Sequence, residues 1–316
     1  MARKKKGEVS FGDMVDALGG GPFVEVNEYV STGILAYDSI ITGRGLPLGC
    51  MLEVFGRWET GKTLLAIYLL AHVQRKGFLP VFFDTERAFK ASMARGAGLD
   101  MSDMLYFPKK GGPQVTTESL FDSIKELLSI ESERRMIIIV DSLAALKSKD
   151  SLEDTFHGRA GQRNAALVTE GVAAIRGPVE HCQAVVIFNN QARAADFGDR
   201  SPGAFAIDHY IDYKFQLTSA KMKPVQSKNV KRVPGRVCKI RALKNRSIIP
   251  QSCSLNIWYK GAIHSRFEGY EQMLVEKKLI NPKDIGFNDF EAYYKKHRKR
   301  ILKSWMEEVS YTATVL

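Results

Sequence analysis

The chain has little cysteine. There are four in 316 residues, Cys50, Cys182, Cys238 and Cys253, all far apart. No C-x-x-C pair occurs, which excludes a zinc ribbon and a disulfide framework and leaves core thiols in a reducing compartment. No apolar run approaches the ~18 residues of a membrane helix, so no membrane span is expected and a cytoplasmic location is. Met1-Ala2-Arg3-Lys4-Lys5-Lys6 has charge but no apolar segment behind it. That argues against a secretory signal and reads as a mobile basic arm. Internal repeats and low-complexity tracts are lacking, which excludes a repeat architecture. Acidic residues are in deficit: Lys+Arg 46 against Asp+Glu 35 gives +11. Residues 221–246 hold ten Lys or Arg and no Asp or Glu, a solvated hairpin or a second nucleic-acid-facing surface. Such an excess points to an anionic partner.

What the chain does have is a stretch that organises the rest. Gly56-Arg57-Trp58-Glu59-Thr60-Gly61-Lys62-Thr63, followed by Leu64, has the spacing G-x-x-x-x-G-K-T. A strand-like Met51–Phe55 precedes it and a helix-like Leu64–Gln74 follows. In that context the two glycines let consecutive N–H groups turn toward one phosphate, and the helix N-terminus adds its dipole. Lys62 is expected on the β- and γ-phosphates, with Thr63 on Mg²⁺. ATP and Mg²⁺ are the cofactors this implies.

Taken in order, residues 1–30 carry a short amphipathic helix (Phe11, Met14, Val15, Leu18) stopped by Gly19-Gly20-Gly21. A helix of that size must dock on its own core or on a neighbouring subunit. Residues 31–265 alternate strand and helix patterns. Strands are expected at Pro80–Phe83, Leu105–Phe107, Met136–Val140, Ala184–Phe188, Tyr213–Leu217, Arg236–Leu243 and Ser254–Trp258. Helices are expected at Ile34–Ile41, Ala88–Gly96, Thr117–Ile130 and Ala165–Ile175. This is the α/β pattern of a doubly wound, mostly parallel sheet, whose ligands sit at the carboxyl ends of the strands. Residues 266–316 read as a small C-terminal extension with a basic helix at 290–309.

Polar groups close the apolar strands. Asp141 ends one, as a second Mg²⁺ ligand would. Glu86 ends the neighbouring strand, where a base could polarise the attacking water, or where an ordinary carboxylate could cap a turn. Gln191 ends a third, as a γ-phosphate sensor or as an amide cap. Two irregular stretches, 148–163 and 192–206, follow strands at the same edge and carry Arg159, Arg163, Arg193, Arg200 and Phe197. Arginines on phosphates with an aromatic between bases suit single-stranded DNA, and the alternative is a pair of solvated loops.

These residues resemble the RecA-type homologous recombinases, bacterial and phage branch, over about residues 30–265. Ser31-Thr32-Gly33 with Gly45-Leu46-Pro47-Leu48-Gly49 is similar to that family's segment before the P-loop. Phe83-Asp84-Thr85-Glu86, Val140-Asp141-Ser142-Leu143-Ala144-Ala145-Leu146 and Phe188-Asn189-Asn190-Gln191-Ala192-Arg193 resemble its glutamate strand, its Walker B strand and the entry to its second DNA loop. Lys244-Asn245-Arg246 resembles a Lys-Asn-Lys segment reaching the ATP of an adjacent subunit. The resemblance implies a RecA-like P-loop ATPase core and helical filaments on single-stranded DNA with ATP between subunits. It further implies homologous pairing with duplex DNA and strand exchange. Glu86 would be the base, Gln191 the γ-phosphate switch, and Lys244 and Arg246 cations given in trans. A recombination accessory ATPase or a hexameric helicase motor is the alternative. The sequence departs from the family at Lys90, Met93, Arg246 and Asp208-His209, as a divergent, phage-type member would.

Overall fold

The computed structural model describes residues 28–108, 115–150, 160–192, 207–221, 225–227, 230–232 and 235–258, with short pieces at 273–274, 295–297, 299–301 and 303. The N-terminal helix and most of the expected C-terminal segment lie outside the described residues.

A two-stranded ribbon pairs β1 (Tyr29–Val30) with β2 (Leu46–Pro47) around α1 (Leu35–Ile41). The Ser-Thr-Gly segment folds onto the buried Asp38, which accepts from the Thr32 N–H at 2.7 Å and the Thr32 hydroxyl at 2.6 Å. The main sheet then begins with β3 (Met51–Gly56), α2 (Lys62–Gln74), β4 (Leu79–Asp84), α3 (Ala91–Ala97), β5 (Leu105–Pro108) and α4 (Thr117–Ser129). It continues through β6 (Met136–Asp141), α5 (Ala160–His181), β7 (Val185–Gln191) and β8 (Tyr213–Lys221). A hairpin of β9 (Val225–Ser227) and β10 (Val230–Arg232) leads to β11 (Gly235–Asn245) and β12 (Ser252–Trp258). The strand order is β12-β11-β8-β3-β7-β6-β4-β5, in which β8 through β5 are parallel and β11 and β12 antiparallel.

The chain leaves β3 over one face through α2 and returns over the other through α4 and α5. Period-2 alternation therefore splits each strand between two cores. Leu52, Val54, Phe82, Ile137, Ile139 and Ile187 pack with α1 and α2. Met51, Val81, Phe83, Ile138, Val140 and Phe188 pack with α4 and α5. The expected doubly wound α/β fold is what is found. Helix α4 starts with a capping box, the Thr116 hydroxyl accepting from the Ser119 N–H at 3.1 Å and the Ser119 hydroxyl from the Thr116 N–H at 2.9 Å. Its inner face is Leu120, Phe121, Ile124 and Leu128, while Leu127 is only partly buried.

Several boundaries differ from expectation. Helix α5 begins at Ala160, inside the stretch expected to be irregular to residue 163, and runs past Pro178 to His181. Strands β7 and β8 extend beyond their apolar cores, because ladder hydrogen bonds to neighbouring strands carry polar residues such as Asn189 and Asn190. A bulge between Ala242 and Lys244 on β11 left no mark in the periodicity. Met273, Leu274 and Ile301 are buried in the first core, while Lys295, Lys296, Lys299 and Arg300 are exposed.

Candidate nucleotide and nucleic-acid site

Strand register brings the chemistry to one edge. Asp84 lies opposite Asp141, Asp141 opposite Asn189, and Gly56 opposite Gln191. The carboxyl ends of four strands thus meet around the P-loop. Gly56 runs so close to β8 that a Cβ there would sit 2.4 Å from the Leu217 carbonyl oxygen. Gly61 caps α2 at φ +98°, where a Cβ would lie 2.4 Å from Ile257 Cδ1. Both glycines are sterically required.

Lys62 Nζ donates to the carbonyls of Gly56 and Arg57, each at 2.9 Å. Burial lowers its pKa, against the pull of Asp141 and Glu86. The Thr63 hydroxyl donates to Asp141 Oδ2 at 2.6 Å. Beside them the Glu86 backbone N–H reaches the Asp141 carbonyl at 3.2 Å, so the loop after β4 is moored to the end of β6. The Glu86 carboxylate accepts from the Ser142 hydroxyl and from Gln191 Nε2, at 2.9 Å and 2.8 Å to its two oxygens. Gln191 Oε1 in turn accepts from the Trp58 indole N–H at 2.9 Å. Lys62, Thr63, Asp141, Glu86 and Gln191 are thus brought together, though Glu86 stands two residues past its strand. An open cleft bounded by Glu86, Arg87, Ala144, Ala145 and Gln191 opens beside them.

Thr63 and Asp141 offer a hydroxyl and a carboxylate side by side, hard oxygen donors of the kind Mg²⁺ takes. Among the described residues no group of three His, Cys, Asp or Glu is placed to hold a metal. The pair therefore suits an ion completed by phosphate oxygens and water. Burial pushes the Asp141 carboxyl up to about 6, with the Thr63 bond opposing and Glu86 adding to the rise. A raised pKa means the native state keeps a proton that the unfolded chain has released between about pH 4 and 6. Stability falls as pH rises through that window, and the penalty is complete above it. Asp141→Asn should therefore melt higher than the parent without nucleotide at about pH 8, by roughly 2–3 kcal/mol, and no higher at about pH 4. Equal calorimetric midpoints at the higher pH would overturn this.

Lys244 and Arg246 are not at this edge. Lys244 is the penultimate residue of β11 and Arg246 follows its last; β11 runs antiparallel to β8, so Lys244 lies opposite Lys214 and Asn245 opposite Tyr213, at the amino end of β3. Across the five residues from Leu52 to Gly56, that separates them from the P-loop by roughly 15 Å. Lys244 Nζ donates to the carbonyls of Asp208 and, at 2.6 Å, Ile211; burial first and Arg246 second lower its pKa. Arg246 donates to Asp212 Oδ1 at 2.7 Å, and Arg176 to Oδ2 of the same buried carboxylate. Lys214 Nζ bonds Asp208 Oδ1 at 2.7 Å and pairs with Glu53 at 3.1 Å, which gives the acidic Asp208 a structural reason.

Of the expected DNA contacts, Arg163 lies on α5 in an exposed ion pair with Asp150 at 3.2 Å. Arg159, Arg193, Phe197 and Arg200 lie outside the described residues. Met93 packs partly buried against the first core, and Lys90 is exposed at the start of α3. Sequence reasoning assigned no role to Ser142 or Glu53, or to the Trp58 side chain. An apolar strand containing a lone Glu was the available signal for Glu53. Among the described residues no helix is long and apolar enough to cross a membrane.

Residues 4–264 match the family described as RecA N-terminal domain. Relatives include the protein named "Protein RecA" of Thermotoga petrophila, 29% identical over 285 residues, which is 87% of this chain and 77% of that protein. The protein of the same name from Chloroherpeton thalassium is 30% identical over 277 residues, 86% and 74%. That of Aquifex pyrophilus is 31% identical over 242 residues, 75% and 66%.

Proposed function

Because the chain belongs to the RecA N-terminal domain family, we propose that it is an ATP-dependent DNA recombinase, one that forms helical filaments on single-stranded DNA, pairs it with homologous duplex and exchanges strands. The observation that carries the proposal is the split of the cationic groups. One sheet edge bears Lys62, Thr63, Asp141, Glu86 and Gln191, and the other bears Lys244 and Arg246. A head-to-tail contact would set the second edge of one subunit against the first edge of the next. Repeated without closure, such a heterologous contact gives an open helix.

In this reading the N–H groups from Arg57 to Thr63 and the start of α2 cradle the phosphates. Lys62 leaves the two carbonyls it now bonds for phosphate oxygens. Thr63 and Asp141 would hold Mg²⁺, which would supply charge neutralisation to the phosphates. Glu86 takes the proton of the attacking water, and Gln191 shifts its amide N–H toward the γ-phosphate. Gln191 opens directly into residues 192–206, so its position would set the grip of that loop on DNA. Arg159, Arg163, Arg193 and Arg200 would meet phosphates, with Phe197 between bases.

The test is strand exchange between homologous DNAs, with micrographs of the protein on single-stranded DNA and a non-hydrolysable ATP analogue. ATP-dependent exchange on extended filaments is expected. Closed rings, or coating without exchange, would overturn the proposal. In the same assay, Lys62→Ala subunits should raise the ATPase of Lys244→Ala subunits mixed with them, because each Lys62→Ala subunit brings an intact Lys244 to its neighbour's intact P-loop. Activity no greater than the sum of the two variants measured apart would remove the contribution in trans.

A further inference from the structure

Trp58 sits in the middle of the P-loop, where phosphate binding uses only backbone N–H groups and asks nothing of the side chain. Its indole is nevertheless 78% exposed, against 40–56% for the other large apolar residues on the described surface. An indole that far into solvent is not held there by packing. Its N–H is bonded to Gln191 Oε1 at 2.9 Å, across 133 residues of chain.

The chemistry of that bond is directional. An indole nitrogen can only donate, so the Gln191 atom facing it must be the amide oxygen. The amide nitrogen is then turned to Glu86, where it meets the two carboxylate oxygens at 2.9 Å and 2.8 Å. A second tie runs alongside, because the Ala192 N–H donates to the Gly56 carbonyl at 3.1 Å. That carbonyl also accepts from Lys62. The end of β7 and the P-loop are therefore joined at two points, one through backbone and one through Trp58. When Lys62 gives up the Gly56 and Arg57 carbonyls, the segment that carries Trp58 loses its internal clamp.

We propose that Trp58 is a positioning residue: it holds the Gln191 amide on Glu86 while the P-loop is empty, and hands it on when phosphates fill the loop. This rests on the reading of Glu86 as base and Gln191 as γ-phosphate sensor. Trp58 touches neither reacting atom. Its effect runs through Gln191, so it belongs in turnover and not in nucleotide affinity.

The chain has three tryptophans. In the full-length protein, Trp258→Phe with Trp305→Phe leaves Trp58 as the sole indole. Adding a non-hydrolysable ATP analogue with Mg²⁺ should shift its emission and change its quenching by acrylamide. Gln191→Ala should abolish that change while still binding the analogue. Trp58→Phe keeps the ring and removes the donor; it should lower kcat about 5- to 10-fold with KM for ATP within about 2-fold, the scale of one lost hydrogen bond. Trp58→His, which restores a ring N–H, should recover most of the loss. Unchanged emission on saturation with the analogue would overturn the proposal, and so would a Trp58→Phe effect confined to KM. The emission test needs no substitution at Trp58, so it stands even if Trp58→Phe folds poorly. Normal turnover by Glu86→Gln and Gln191→Ala would instead defeat the underlying functional reading. Lost turnover in both with full activity in Trp58→Phe would defeat this inference alone.

Discussion

Glu86→Gln should lower ATP turnover about 10²- to 10⁴-fold, the range for removing a positioned general base. Nucleotide affinity should change little, because Lys62, Thr63 and the P-loop N–H groups are untouched. The substitution keeps the side chain's size and one carbonyl oxygen, which can still accept from Ser142 or Gln191. What it removes is the second anionic oxygen and the ability to take a proton. The present geometry also makes it a fair test, because Glu86 is already held by three tethers: the Ser142 hydroxyl, the Gln191 amide and its own backbone N–H on the Asp141 carbonyl. ATP-dependent filaments should persist and become longer-lived, since the step that resets them is slowed. Single-turnover measurement of phosphate release, with nucleotide binding measured separately, decides it. Wild-type hydrolysis in Glu86→Gln would remove the residue from the mechanism.

Lys214→Met should be the most damaging single change to stability outside the P-loop. Glu53 is fully buried in β3, and its neighbour across the ladder is Lys214 on β8. Lys214 pairs with Glu53 at 3.1 Å and Asp208 at 2.7 Å, and its ammonium lies 5.4 Å from the Phe55 ring centroid. Asn190 Nδ2 supplies Glu53 with one further bond at 2.9 Å. Losing the lysine strands the buried carboxylate, at a cost of about 3–5 kcal/mol. For a chain of this size that is a fall of roughly 5–8 °C in melting temperature. Because the desolvation of two charges offsets much of their attraction, Lys214→Met with Glu53→Leu should restore most of the loss. A single variant that melts like the parent would show that the pair contributes nothing. A double variant no better than the single one would show that the damage is shape and not charge. Asp208 also shares the backbone that caps Lys244, so Lys214→Met should loosen the far edge as well, read as weaker subunit cooperativity at temperatures where the fold survives.

The two cases show different kinds of legibility. The Met136–Val140 strand and the P-loop were readable because each is a contiguous signal: an apolar β-branched run, or eight residues whose spacing one phosphate dictates. The α/β alternation followed for the same reason. Helix α5 was read too short because its first turn, Ala160-Gly161-Gln162-Arg163, carries no apolar period, and the helix is fixed by packing on α4.

By itself the sequence determined that a G-x-x-x-x-G-K-T turn joins a strand to a helix, that Asp141 closes an apolar strand, and that the fold is a layered, mostly parallel sheet. Those facts are local, since hydrophobic period, glycine and turn chemistry act over a few residues. Only the tertiary structure decided which strand ends are neighbours. It joined Trp58, Gln191, Glu86 and Ser142 in one hydrogen-bonded chain, sent Lys244 and Arg246 to the opposite edge, and gave Glu53 its lysine 161 positions later. Strand order and register come from crossovers and from burial on both faces at once. No residue carries that information alone, so a side chain's partner was decided where two distant strands met.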